Sequence, residues 1–70
     1  MKNIDWMILN VLYEKRSMTQ AAEVLYMTQP ALTKRIKSIE SEWGIEVVKR
    51  SSRGVTFTEE GKYLVKNQVS

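Results

Sequence analysis

The stretch MTQPALTKRIKSIE, residues 27–40, has the period of an amphipathic helix but an unusual beginning. Pro30 stands in what would be the first turn, and three cations, Lys34, Arg35 and Lys37, precede the first acid, Glu40. Thr28 suits the N-cap position. Pro30 then falls where backbone amides lack an intrahelical partner, so its missing N–H does little harm. Leu32, Ile36, Ile39 and Trp43 follow at helical spacing. At 100° per residue they span roughly 60° of arc, which predicts one core-facing ridge. Gly44 supplies a left-handed stop, so the spacing predicts a helix over about 29–42. Pro30, Thr33, Lys34, Lys37 and Ser41 fall on the opposite face, with Gln29 beside them at the start. Placing cations first and the acids Glu40 and Glu42 last opposes the helix dipole. A helix arranged only for its own stability is more often charged the other way.

Working outward, Ile4, Ile8, Val11 and Leu12 form an apolar stripe that predicts a helix over about 4–14, capped by Asn3. Ser17 and Gln20 have capping-box spacing ahead of Met18, Ala21, Ala22 and Leu25, which predicts a short helix over about 18–25. Its paired alanines let another backbone approach closely. Residues 26–28 form a tight link without glycine. After Gly44 the period changes. VVK and VTF are β-prone runs around the turn residues SSRG, predicting a hairpin with strands over about 47–49 and 55–57 and with Arg50 and Arg53 at or beside its tip. Two strands alone are barely stable, so this hairpin must lean on helices. Thr58 then caps a last helix, with Glu59 and Glu60 in its first turn and Tyr63 and Leu64 on its apolar side, running to about 68. Leu32, Ile36, Ile39 and Trp43 are expected in the core, with Met7, Met18 and Met27 as filler.

The totals narrow the function classes. Seventy residues suit one small domain, and a 43% hydrophobic, 27% charged composition is that of an ordinary folded chain. Without cysteine there is no disulfide framework and no thiolate metal site. No apolar run approaches the roughly 20 residues that span a bilayer. There is no histidine, no Gly-rich phosphate loop and no acid pair visibly placed for general acid–base work, so the chain is not expected to be an enzyme or to bind a metal. The net charge of +3 is mild, but its distribution is not. No acid occurs between Glu23 and Glu40 or between Glu46 and Glu59, and those gaps hold Lys34, Arg35, Lys37, Lys49, Arg50 and Arg53, six of the eleven cations. Such patches suit a polyanion, although two solvated faces would look the same. For Arg35, at the edge of the apolar ridge, an ion pair with an acid on a neighbouring helix competes with phosphate binding.

Helix, short helix, tight turn, helix and hairpin is the order of a winged helix-turn-helix, mainly α, with a three-helix core and a two-stranded wing. In that motif the N-terminal residues of the second helix of the pair reach base edges in the major groove. Gln29 can pair with an adenine edge. Pro30 or the Thr33 methyl can touch a thymine methyl, and Lys34 can donate to guanine or phosphate. Arg53 suits the enhanced negative potential of a narrow minor groove.

The segments SMTQAA (17–22), TQPALTKRIKSIE (28–40), WGIEVVKR (43–50) and TEEG (58–61) resemble the N-terminal DNA-binding domain of the LysR-type transcriptional regulators, in order and over nearly the whole chain. The resemblance implies base contacts from Gln29, Pro30, Thr33 and Lys34, a minor-groove wing contact from Arg53, and backbone contacts from Thr28, Lys37 and Arg50. It also implies residues 1–57 as the winged domain and 58–70 as the start of a linker or dimerisation helix. The effector-binding domain that follows in the family is not part of this sequence. A chain cut within that linker helix is therefore expected, with no cofactor of its own, since a small-molecule effector would bind the domain that follows. The expected partners are double-stranded operator DNA bearing an inverted repeat and, in the full-length protein, further copies of itself as a homodimer or tetramer. No membrane is expected, and the location would be the bacterial cytoplasm. Trp43 stands where the family usually has leucine, Val47 and Val48 replace Leu-Phe, Met18 replaces phenylalanine, and Arg16 replaces a frequent glycine. All but Arg16 are expected in the core. The alternative functions are a winged helix used as a protein-interaction or dimerisation module, or one that binds nucleic acid without sequence preference.

Overall fold

The computed structural model describes residues 2–67. Three helices, α1 (Asn3–Lys15), α2 (Met18–Val24) and α3 (Gln29–Trp43), precede an antiparallel hairpin of β1 (Val48–Ser51) and β2 (Gly54–Phe57) and a last helix, α4 (Glu59–Lys66). This is the winged helix-turn-helix order that the sequence predicts. The end of α4 expected near residue 68 lies outside the described residues.

The first helix begins one residue early. Lys2, not Asn3, holds the extended cap position, and its backbone N–H donates to Asp5 Oδ2 at 3.1 Å. A carboxylate folded back from the first turn thus replaces a short capping side chain. The buried stripe is Asp5, Ile8, Leu9 and Leu12. Ile4 and Val11 lie roughly 100° from its centre by helical geometry. Accordingly Ile4 is exposed and Val11 only half-buried, and Met7, expected as core filler, is 52% exposed. Met18 and Met27 do pack against the core.

Ser17 Oγ accepts from the Gln20 backbone N–H at 3.2 Å, which starts α2. The helix stops at Val24, with Leu25 as C-cap. Tyr26, at φ 55°, turns the chain; its N–H donates to Glu23 O at 3.2 Å and that of Met27 to Ala22 O at 2.9 Å. These two bonds form a Schellman motif, whose left-handed position usually holds glycine. The side chain of Tyr26 is 97% exposed.

In α3, Thr28 Oγ1 accepts from Ala31 N–H at 3.3 Å and Gly44, at φ 66°, ends the helix. Leu32, Ile36 and Ile39 are buried as expected. Trp43 is not: it is 46% exposed and rests edge-on against Trp6, with ring centroids 6.4 Å apart. Its azimuth on the helix is right, but it stands about 16 Å along the axis from Leu32 at 1.5 Å per residue, past the end of a small core. Glu40 has a role the dipole argument did not foresee. Its Oε2 accepts the backbone N–H of Val47 at 2.7 Å and of Val48 at 3.3 Å, which pins the entry to β1.

Hairpin pairing runs Val48 to Phe57, Lys49 to Thr56, Arg50 to Val55 and Ser51 to Gly54. The strands are therefore longer toward the turn than expected, and Arg50 belongs to β1 rather than the tip. The wing is anchored close to its turn as well as at its base. Val55 N–H donates to Arg16 O at 3.0 Å, and a Cβ on Gly54 would sit 2.6 Å from that same oxygen. Arg16 itself has φ 54°, which gives a reason for glycine to be frequent there in the family it resembles. Its guanidinium lies 4.3 Å from the Tyr13 ring centroid and 5.4 Å from that of Phe57. The side chain thereby offsets the strain of the backbone.

Thr58 caps α4, its Oγ1 accepting from Gly61 N–H at 2.9 Å. The helix packs against the segment before β1 so closely that a Cβ on Gly61 would lie 2.2 Å from Val47 O. Leu64 closes the core with Val47, Val55 and Phe57, while Tyr63 is 69% exposed.

Candidate nucleic-acid interface

One side of α3 is buried and the other is open. Its first turn carries Gln29 and Pro30, both exposed, and Lys34 and Lys37 follow on the side of Pro30, also exposed. Thr33 is half-buried. The Thr28 side chain is engaged as the cap and the residue is exposed. Arg53 occupies the two-residue turn between Ser51 and Gly54, is exposed, and has its backbone N–H on Ser51 Oγ at 3.3 Å.

Two side chains on this face are held by neighbours. Gln29 Nε2 donates to Thr19 Oγ1 of α2 at 3.1 Å. Arg50 Nη2 donates to Thr33 Oγ1 at 2.6 Å, bridging β1 to α3. Between these two elements runs a groove of about 420 Å³, with Thr33 and Lys37 on one wall and Val48, Lys49 and Arg50 on the other. A guanidinium has five donors, so the bond to Thr33 leaves Arg50 able to reach a further acceptor.

Arg35 faces the other way. Its Nε donates to Asp5 Oδ1 at 3.0 Å, with the Asp5 side chain only 11% exposed. The ion-pair reading of Arg35 therefore holds. Asp5 thus serves both the N-terminus of α1 and the packing of α1 on α3. The structure brings Pro30, Lys34 and Lys37 onto one open face, with Gln29 exposed at its N-terminal edge, Arg50 beside it and Arg53 in the turn of the wing. The sequence reading missed Thr19 and the pinning role of Glu40. Thr19 bonds a residue ten positions away across a turn, a contact that no local pattern announces.

Among the described residues no group of three or more acids can hold a metal ion, and no helix is long and apolar enough to cross a membrane.

Comparisons place this geometry. The structure superposes on the CbnR_DBD–DNA complex with a TM-score of 0.90 at 25% identity, over 96% of this chain and 77% of that one. It superposes on the BenM_DBD/catB site 1 DNA complex with a TM-score of 0.87 at 33% identity, over 94% and 74%. In sequence it is 46% identical over 61 residues to the HTH-type transcriptional regulator YraN of Bacillus subtilis (strain 168), covering 87% of this chain and 21% of that protein. The chain thus spans about a fifth of the length of the curated relatives it matches. The family model of bacterial regulatory helix-turn-helix proteins, lysR family, matches residues 5–62, and the chain belongs to that family.

Proposed function

We propose that this chain is the sequence-specific DNA-binding domain of a bacterial transcription regulator, with α3 lying in the major groove and the wing turn against the adjacent minor groove. The observation that carries this is the division of α3. Leu32, Ile36 and Ile39 are buried, while Pro30, Lys34 and Lys37 stand exposed on the opposite side and Gln29 is exposed at the N-terminal end of the helix. The same fold in CbnR_DBD and BenM_DBD, each solved on DNA, supports it and does not favour a protein-interaction module.

In this reading Gln29, Pro30, Thr33 and Lys34 contact bases. Gln29 offers an amide to an adenine edge, Pro30 and the Thr33 methyl offer apolar surface to thymine, and Lys34 donates to guanine. Thr28, Lys37 and Arg50 contact the sugar–phosphate backbone and fix the register, and Arg53 enters the minor groove. The domain carries out no catalysis and needs no cofactor. The longer protein is a cytoplasmic regulator that self-associates as a homodimer or tetramer on an inverted repeat, with any small-molecule effector held outside these residues.

The test is binding of this chain to duplexes enriched from a randomised pool. About 4–6 phosphate contacts give a slope of roughly −4 to −5 in log K against log salt. Gln29→Ala should relax preference at one base pair, and Lys34→Ala should lower affinity. Binding that ignores sequence, or that survives both substitutions unchanged, would overturn the proposal.

A further inference from the structure

We infer that Thr19, on α2, is a positioning residue that sets specificity through Gln29: it holds the glutamine amide in place for reading a base edge. The inference rests on the base-reading role proposed above for Gln29. Its physical basis is the hydrogen bond from Gln29 Nε2 to Thr19 Oγ1 at 3.1 Å.

A primary amide has two N–H donors and one carbonyl acceptor, and rotation about its last torsion is broad. To read adenine bidentately it must present one N–H to N7 and its oxygen to the N6 amino group, side by side. An unrestrained Gln29 can carry its amide away from that edge, so its preference among bases is diluted. With one N–H given to Thr19 Oγ1, Oε1 and the remaining N–H are left for a base edge; an overturned amide could still accept from the same hydroxyl, so what the bond fixes is the place of the amide group. The donor and its partner come from the two helices of the helix-turn-helix, joined by a Schellman turn rather than a flexible loop. The restraint is therefore built before DNA arrives, which lowers the ordering cost of binding. Thr19 itself is exposed and lies in the first turn of α2, outside the hydrophobic core. Its replacement can be read without loss of the fold.

The experiment measures binding of the full chain, by fluorescence anisotropy, to a duplex enriched from a randomised pool and to its single-base-pair variants. Gln29→Ala should cut discrimination at one base pair by about 5- to 150-fold, the value of a bidentate contact. Thr19→Val, nearly isosteric, should cut discrimination at that same base pair by about 2- to 10-fold, the value of one hydrogen bond. Its salt slope and thermal midpoint should stay unchanged. Thr19→Ser, which keeps the hydroxyl oxygen, should restore discrimination. In a Gln29→Ala background Thr19→Val should have no further effect on discrimination. If Thr19→Val weakens all duplexes equally and makes the salt slope shallower, Thr19 is a phosphate contact and the inference fails. It fails also if Thr19→Val leaves discrimination intact while Gln29→Ala removes it. If Gln29→Ala itself changes preference at no position, the base-reading role of Gln29 has failed, a result distinct from the other two.

Discussion

Replacing Tyr26 by glycine should stabilise the domain, and replacing Arg16 by glycine should destabilise it. Both residues hold left-handed backbone, at φ 55° and φ 54°. For a non-glycine residue that conformation costs about 1–2 kcal/mol, and glycine relieves it. Glycine in turn makes the unfolded chain freer, at a cost of about 0.4–1 kcal/mol. The backbone balance therefore favours glycine by roughly 0.5–1 kcal/mol at either site. The side chains decide the rest. Tyr26 is 97% exposed, so almost no packing is lost with it. Arg16 stacks on Tyr13 and Phe57 and donates through Nε to Tyr13 O at 2.6 Å. The ring contacts contribute about 0.5–1 kcal/mol each and the hydrogen bond about 0.5–1.5 kcal/mol. Arg16→Gly should thus lose about 1–2 kcal/mol net, while Tyr26→Gly gains about 0.5–1 kcal/mol. In a domain of this size the two midpoints should separate by about 6–24 °C. Thermal unfolding followed by circular dichroism measures it directly. Equal shifts of the same sign in the two variants would show that backbone strain, or side-chain contact, has been misjudged.

Three further outcomes follow from other contacts. Gly61→Ala should lower stability by on the order of 1–2 kcal/mol in denaturant titration, although alanine is the better helix former, because its Cβ would meet the Val47 carbonyl at 2.2 Å. Asp5→Ala removes both the cap on Lys2 N–H and the partner of Arg35, and should cost about 1–3 kcal/mol; Asp5→Asn, which keeps an acceptor, should cost less. Trp43→Leu should change stability by less than about 1 kcal/mol, since the ring is half-exposed and lies beyond the core; a larger loss would place it back among the core residues.

Much of this was legible in the sequence, for a physical reason. The elements are short and separately punctuated: Ser17, Thr28 and Thr58 each make the capping bond their spacing announces, and Gly44 ends α3 as expected. Helical period located Leu32, Ile36 and Ile39, because azimuth decides burial in mid-helix. It failed for Ile4, because the stripe read in α1 was centred away from the true one, and for Trp43, where the azimuth is right but the residue lies past the end of a small core; period carries no axial information. The open face of α3 was legible from the run of cations. The contacts that hold its side chains were not. Thr19 with Gln29, Arg50 with Thr33, and Glu40 with the amides of Val47 and Val48 join separate elements, so they exist only once the chain has packed.

The anchoring of the wing has a consequence for how a duplex is measured. The hairpin is fastened to the α1–α2 turn through Arg16 O and Val55, to α3 through Glu40 and Arg50, and to α4 through Thr58 and Val47. Moorings spread from its base to near its turn make it a calliper jaw of set span rather than a swinging arm. With the wing turn against the minor groove, as proposed, a target whose two grooves already match that span would be gripped at little elastic cost, whereas a stiff one of the wrong width would have to be bent to fit. Base pairs that no side chain touches would then still be selected, by how readily they yield.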